Sequence, residues 1–145
     1  MSNKNPMGEI IKIQLRSNCI CYGPEPDPDD EIEQLITLTN SHIWITRYKY
    51  GKGVYERLDY KHRGISTEDG TTIIKEVGDY FGNGGICEFV YDVGDWKLKL
   101  INRDNKEFIF SGSLIIPNDH NLKSICDDIR DRLQCPFLFL FDGGQ

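Results

Sequence analysis

"EIEQLITLTNSHIWITRYKYGKGVYERLDY", residues 31–60, reads as three strands separated by two turns. Asn40-Ser41 marks the first turn. Gly51-Lys52-Gly53 marks the second, because glycine tolerates the positive φ of hairpin loops. In the middle run Trp44, Thr46, Tyr48 and Tyr50 share one face, while Ile43, Ile45, Arg47 and Lys49 share the other. Strands joined by such short turns run antiparallel, so this segment predicts the body of an antiparallel sheet.

Outward from it the pattern continues. Residues 9–22, "EIIKIQLRSNCICY", put Ile11, Ile13 and Leu15 on one face and Lys12, Gln14 and Arg16 on the other. That alternation predicts a half-buried strand, with Cys19 and Cys21 continuing its odd-numbered face. On the other side, Ser66 caps a helix start with Asp69 three residues on. Ile73, Ile74, Val77, Tyr80 and Phe81 then recur at helical spacing up to a stop at Gly82. Two more strands, "ICEFVYDVG" (86–94) and "DWKLKLIN" (95–102), precede a turn at 103–106 and the strand "EFIFSGSLII" (107–116). Pro117-Asn118-Asp119 starts a second helix, whose inner face is Leu122, Ile125, Cys126, Ile129 and Leu133. Pro136 ends it. "FLFLF", Phe137–Phe141, has no polar face, which predicts a doubly buried strand or a segment covered in a homodimer. Together these elements predict one α+β domain over residues 1–145. It is a mostly antiparallel β-sheet of about six to eight strands with two helices packed on it.

Charge is distributed in blocks. The net charge of −6 argues against general affinity for nucleic acid or anionic membrane. No Lys or Arg lies between Arg16 and Arg47, residues 47–63 are basic, and residues 68–95 are acidic again. The start "MSNKNPMGEI" lacks the apolar core of a secretory signal, and no apolar run is long enough to span a bilayer. Five cysteines in no disulfide framework fit a reducing compartment. The expected location is cytoplasmic.

Candidate chemistry is sparse. "CYGPEPDPDDEIE", residues 21–33, holds six carboxylates and three prolines. The prolines keep it out of a sheet interior. Counted from Asp27, an EF-hand would need Gly at its sixth position and Glu at its twelfth, where the chain has Ile32 and Leu38. The loop is therefore a looser divalent site, a partner-binding loop or a connector. Cys19-x-Cys21 lacks the second cysteine pair of a zinc site. The glycine cluster 82–85 follows a helix, whereas phosphate loops precede one. Ser111-Gly112-Ser113 lacks the flanks of a nucleophile elbow.

No catalytic set, metal site or cofactor fingerprint emerges. The expectation is a non-enzymatic protein-binding module. An acidic inhibitor of immunity or anti-defence type is one version of it, since an acidic surface can occupy a basic channel. Its expected contacts are the acids Glu25, Asp27, Asp29, Asp30 and Glu31, together with Trp44, Arg47, Tyr48, Lys49 and Tyr50 of the basic-aromatic hairpin. The same aromatics and cations are also the ingredients of a surface for single-stranded nucleic acid, the alternative reading. The third class is an unrecognised enzyme built around Cys19, Cys21 and one of His42, His62 or His120.

Overall fold

Alternating strands joined largely by short turns give an antiparallel sheet. The computed structural model describes residues 7–20, 25–83, 94–114 and 120–144. Within them the elements are β1 (Ile10–Asn18), β2 (Glu31–Leu38), β3 (His42–Lys49), β4 (Glu56–Gly64), α1 (Thr67–Gly82), β5 (Asp95–Asn102), β6 (Glu107–Ser113) and α2 (His120–Leu133). The six strands form one open antiparallel sheet in the order β4-β3-β2-β1-β5-β6. The fold is α+β, as expected. The expected strand over 86–94 lies, apart from Gly94, outside the described residues, as do Cys21, Cys87, residues 117–119 and the side chain of His120.

The register lines side chains into rows that cross the whole sheet. One row on the helix side runs Lys61, Ile45, Ile36, Leu15, Leu98, Phe110 from β4 to β6, and the next runs Arg63, Ile43, Leu38, Ile13, Leu100, Phe108. Both rows are apolar from β3 onward and cationic at β4. The isoleucines and leucines are buried against Ile73, Val77, Phe81, Leu122, Cys126 and Ile129 of the helices. Two helices cannot cover six strands, so β4 lies beyond the helical layer with almost every residue exposed.

Helix α1 starts where Ser66 Oγ accepts a hydrogen bond from the Asp69 amide at 3.1 Å. Gly70 brings its first turn against the β2–β3 turn, since a Cβ there would stand 2.5 Å from the Asn40 carbonyl oxygen. Helix α2 ends with Gln134 at φ 54° and the Cys135 amide donating to the Arg130 carbonyl. This is the left-handed cap that Pro136 makes necessary by barring helical continuation.

The segment Phe137–Phe141 departs from expectation. It is no strand but an irregular turn, and Leu138, Leu140 and Phe141 are buried by the chain itself. Its backbone is bound by side chains instead of by a neighbouring strand. Gln34 Nε2 donates to the Phe137 carbonyl (2.9 Å) while Gln34 Oε1 accepts from the Phe139 amide (2.7 Å). Ser17 Oγ donates to the Leu140 carbonyl at 2.7 Å. Arg130 reaches the carbonyls of Leu138 and Phe139 and the carboxylate of Asp142. A run with no polar face satisfies its amides and carbonyls in this way without joining the sheet. Leu138, Leu140 and Phe141 thus find their burial within one chain, while Phe137 and Phe139 stay partly exposed.

Candidate functional site

Each strand that sends one set of side chains to the helices sends the alternate set to the other face. Among the described residues no helix covers that second face, and only Tyr55, whose Oη accepts from Asn18 at 3.1 Å, folds over one end of it. Three rows cross it. The first runs His62, Trp44, Thr37, Gln14, Lys99, Ile109 and the second Tyr60, Thr46, Leu35, Arg16, Lys97, Ser111. The third runs Arg57, Tyr48, Glu33, Asn18, Asp95, Ser113. The face is thus divided. Its β3–β4 half is aromatic and its β1–β5 half carries the cations Arg16, Lys97 and Lys99.

The aromatic half has built geometry. The Trp44 and His62 rings stack at 4.8 Å with planes 6° apart, and His42 lies 5.2 Å from His62 and 5.7 Å from Trp44. Tyr60 and Leu35 are exposed beside them, at 50% and 39%, and Ile109 is 55% exposed on the far side. On the cationic half, Arg16 pairs with Glu33 at 3.0 Å and Lys99 with Glu107 at 3.5 Å. The sequence offered His62 only as a candidate base, and its stacking on Trp44 was not legible there. His62 stands opposite Trp44 because the Gly51–Gly53 turn sets the hairpin and the register then shifts by one residue between Arg47 and Tyr48.

The residues expected at a binding site separate into two groups. Trp44 and Tyr48 lie on the uncovered face. The other eight meet one another at the end of the sheet. Arg47 donates to both Glu31 oxygens (2.7 and 2.8 Å) and to Asp59 at 3.4 Å. Lys49 pairs with Asp29 at 3.3 Å and Glu56 at 3.6 Å. Tyr50 Oη donates to Glu25 at 2.7 Å, and the Asp27 amide donates to Asp30. Tyr50 does not continue the aromatic face of β3. The strand ends at Lys49, and Tyr50 turns helical (φ −61°, ψ −44°) to enter the glycine turn.

These contacts answer what the acids touch. The proline-rich loop is clamped to the hairpin by its backbone, with the Tyr50 amide donating to Asp30 O and the Gly51 amide to Pro28 O, both at 2.9 Å. Its carboxylates neutralise the basic strand from within. The hydrogen bonds to Glu31, followed by the charges of Glu31 and Asp59, hold the Arg47 guanidinium above its ordinary pKa despite partial burial. Asp29 likewise raises Lys49, and the bond to Glu25 raises Tyr50.

Two further places carry groups capable of chemistry. A cleft of about 660 Å³ lies between α1 and the end of the sheet, floored by Ile10, Ile11 and Ile74. Its cations are already engaged, Arg103 with Glu9 at 2.6 Å and Lys75 with Asp79 at 2.7 Å. Cys19 Sγ lies 3.6 Å from the Glu31 carbonyl, and burial pushes the Cys126 thiol up to about 12. No group of three or more His, Cys, Asp or Glu residues converges as a metal site among the described residues. None of the described helices is long and apolar enough to cross a membrane. Comparison with known proteins finds no matching family model, no matching curated protein and no matching solved structure.

Proposed function

We propose that this chain is a non-enzymatic binding protein that docks on a protein partner through the uncovered sheet face. The observation that carries the reading is the division of that face into an aromatic half around Trp44, His62 and Tyr60 and a cationic half around Arg16 and Lys97. Trp, Tyr and Arg dominate the energetics of protein interfaces, because each offers large contact area with a polar handle. An acidic-inhibitor version would need the carboxylates of residues 25–31 free for a partner. Glu31 is committed to Arg47, and Glu25 and Asp29 already face Tyr50 and Lys49, so we assign the anchor to the sheet face.

A second reading, binding of single-stranded nucleic acid, is favoured by the same Trp44–His62 stack on one face with Lys97 and Lys99, which lie across the sheet beyond the two intervening strands β2 and β1. One experiment separates them. The chain, immobilised by a terminal tag, is used to capture material from lysate at low salt, with and without nuclease, beside Trp44→Ala and Arg16→Glu/Lys97→Glu variants. A stoichiometric protein that survives nuclease and is lost with Trp44→Ala supports the protein-binding reading. Capture abolished by nuclease transfers the face to nucleic acid. Capture that is unchanged by every open-face variant overturns both.

A further inference from the structure

The two apolar rows on the helix side stop one strand short of the edge. At β4 they end in Lys61 and Arg63, and beneath these two side chains lies a slot of about 210 Å³. Its walls are Ile43, Ile45, Leu133 and Phe137, with the two cations at its mouth. Arg63 is held there by the Leu133 carbonyl, and Lys61 lies 5.6 Å from the Phe137 ring centroid. Beside the slot runs the free edge of β4, nine residues long and hydrogen-bonded only to β3 among the described strands. An edge of that length presents unpaired backbone donors and acceptors to an incoming strand.

We propose that the β4 edge accepts an extended acidic segment of a partner protein by antiparallel strand addition, with one apolar side chain of that segment seated in the slot. The inference rests on the protein-binding reading above and adds the chemistry of the segment recognised. Charge complementarity sets that chemistry. The acids of β4 are already engaged, Glu56 by Lys49 and Asp59 by Arg47 and Lys61. On the slot face the edge therefore offers Lys61, whose contact with Asp59 is long at 3.9 Å, and Arg63, which is held by a neutral carbonyl and keeps its charge for a partner. The chain itself shows the pairing on the other side of β3, where the acidic strand β2 lies against it and Glu31 grips Arg47. A partner strand with carboxylates facing Lys61 and Arg63 repeats that arrangement one strand further out. A leucine or phenylalanine on the same face of that strand reaches the slot, where its burial replaces water against Ile43 and Ile45.

The probe is a synthetic peptide of about ten residues, a usual strand length or a little more, alternating glutamate and valine with a central leucine on the glutamate face. Its counterpart has lysine in place of every glutamate. Each is titrated into the full isotope-labelled chain while backbone amides and isoleucine methyls are followed by NMR. The proposal expects shifts confined to residues 56–64 and the Ile43 and Ile45 methyls. It expects binding at least roughly tenfold tighter for the acidic peptide at low salt, because charge pairing selects the partner. Lys61→Glu, on an exposed side chain of the slot face, should remove that preference, while Trp44→Ala, on the opposite face, should leave it intact. No shift at β4 with the acidic peptide, equal binding of the basic peptide, or shifts only on the Trp44–Lys97 face would overturn the proposal. The last result leaves the sheet-face reading standing. Failure of the Trp44→Ala capture experiment, in contrast, removes that reading without touching the β4 titration.

Discussion

Arg130 of α2 and Asp142, close to the end of the chain, form an ion pair in which the aspartate is fully buried and the arginine nearly so. Lys123 donates to the same carboxylate at 3.2 Å and the Gly144 amide at 2.9 Å. Arg130 also binds the carbonyls of Leu138 and Phe139, so one guanidinium ties helix, turn and tail together. Burial alone would raise the Asp142 carboxyl. The bonds from Arg130 and the Gly144 amide outweigh it and hold the group below the usual aspartate range.

Removing that carboxylate strands the arginine. Asp142→Asn should cost about 3 kcal/mol in urea unfolding at pH 7, because a buried charge without its partner keeps its desolvation penalty. The pH dependence has a defined sign. A depressed folded-state pKa contributes stability above the unfolded value, near 3.8, and that contribution is lost as pH falls through the lower folded value. Wild type and Asp142→Asn should therefore converge in stability at strongly acidic pH. A gap of unchanged size there would show that the ion pair is not its source.

Gln34 supplies both a donor and an acceptor to the tail backbone. Gln34→Ala should destabilise by about 2 kcal/mol, since it leaves a carbonyl and an amide of the partly buried tail unpaired. Amide exchange of Phe139 should accelerate more than that of Leu98 in the sheet centre, which checks that the loss is local to the docked tail.

The sheet and both helices were legible because their signals are local. Period-two alternation, the glycine turn at 51–53 and the Ser66 cap each lie within a few residues of what they specify. The tail was not, because its structure depends on Gln34 and Ser17, over a hundred residues away in sequence. A signal did exist in β2, where Gln34 interrupts the buried series Ile32, Ile36, Leu38. A polar side chain on a core face needs a partner, but its own strand cannot say which. The acid and base blocks were visible as charge, and only the β2–β3 register revealed that they satisfy each other.

That mutual pairing separates the acids by consequence. Glu31 makes a two-pronged contact with a partly buried Arg47 and also accepts from Gln34 at 2.9 Å. Glu31→Gln should lower stability by about 1–2 kcal/mol, in the range of charge-assisted bonds. Asp29, whose side chain is 91% exposed, meets Lys49 in open solvent. Asp29→Asn should change stability by less than about 0.5 kcal/mol. Thermal melts of the two variants at the same ionic strength test the contrast, and equal losses would mean that the loop acts through net charge alone.

Helices α1 and α2 meet at a pair of carboxyl groups, Glu76 and Asp128. One Glu76 oxygen is buried without a hydrogen-bond partner, while Asp128 is drawn to Arg132 at 2.8 Å, which also binds Asp69. Burial first, and then the contact with Asp128, pushes the Glu76 carboxyl up to about 7. A raised folded-state pKa means that the native chain binds more protons than the unfolded one between about pH 4.5 and pH 7. Stability from this group should therefore fall as pH rises through that window, opposite in direction to the contribution of Asp142. Glu76→Gln keeps the shape and removes the charge. It should melt at the same temperature as wild type near pH 4 and higher than wild type at pH 8, by roughly 1–2 kcal/mol after allowing for screening at a partly solvated seam. A variant that is less stable than wild type at pH 8 would mean that the Glu76 carboxylate is welcomed at the helix seam, with Arg132 as its counter-ion.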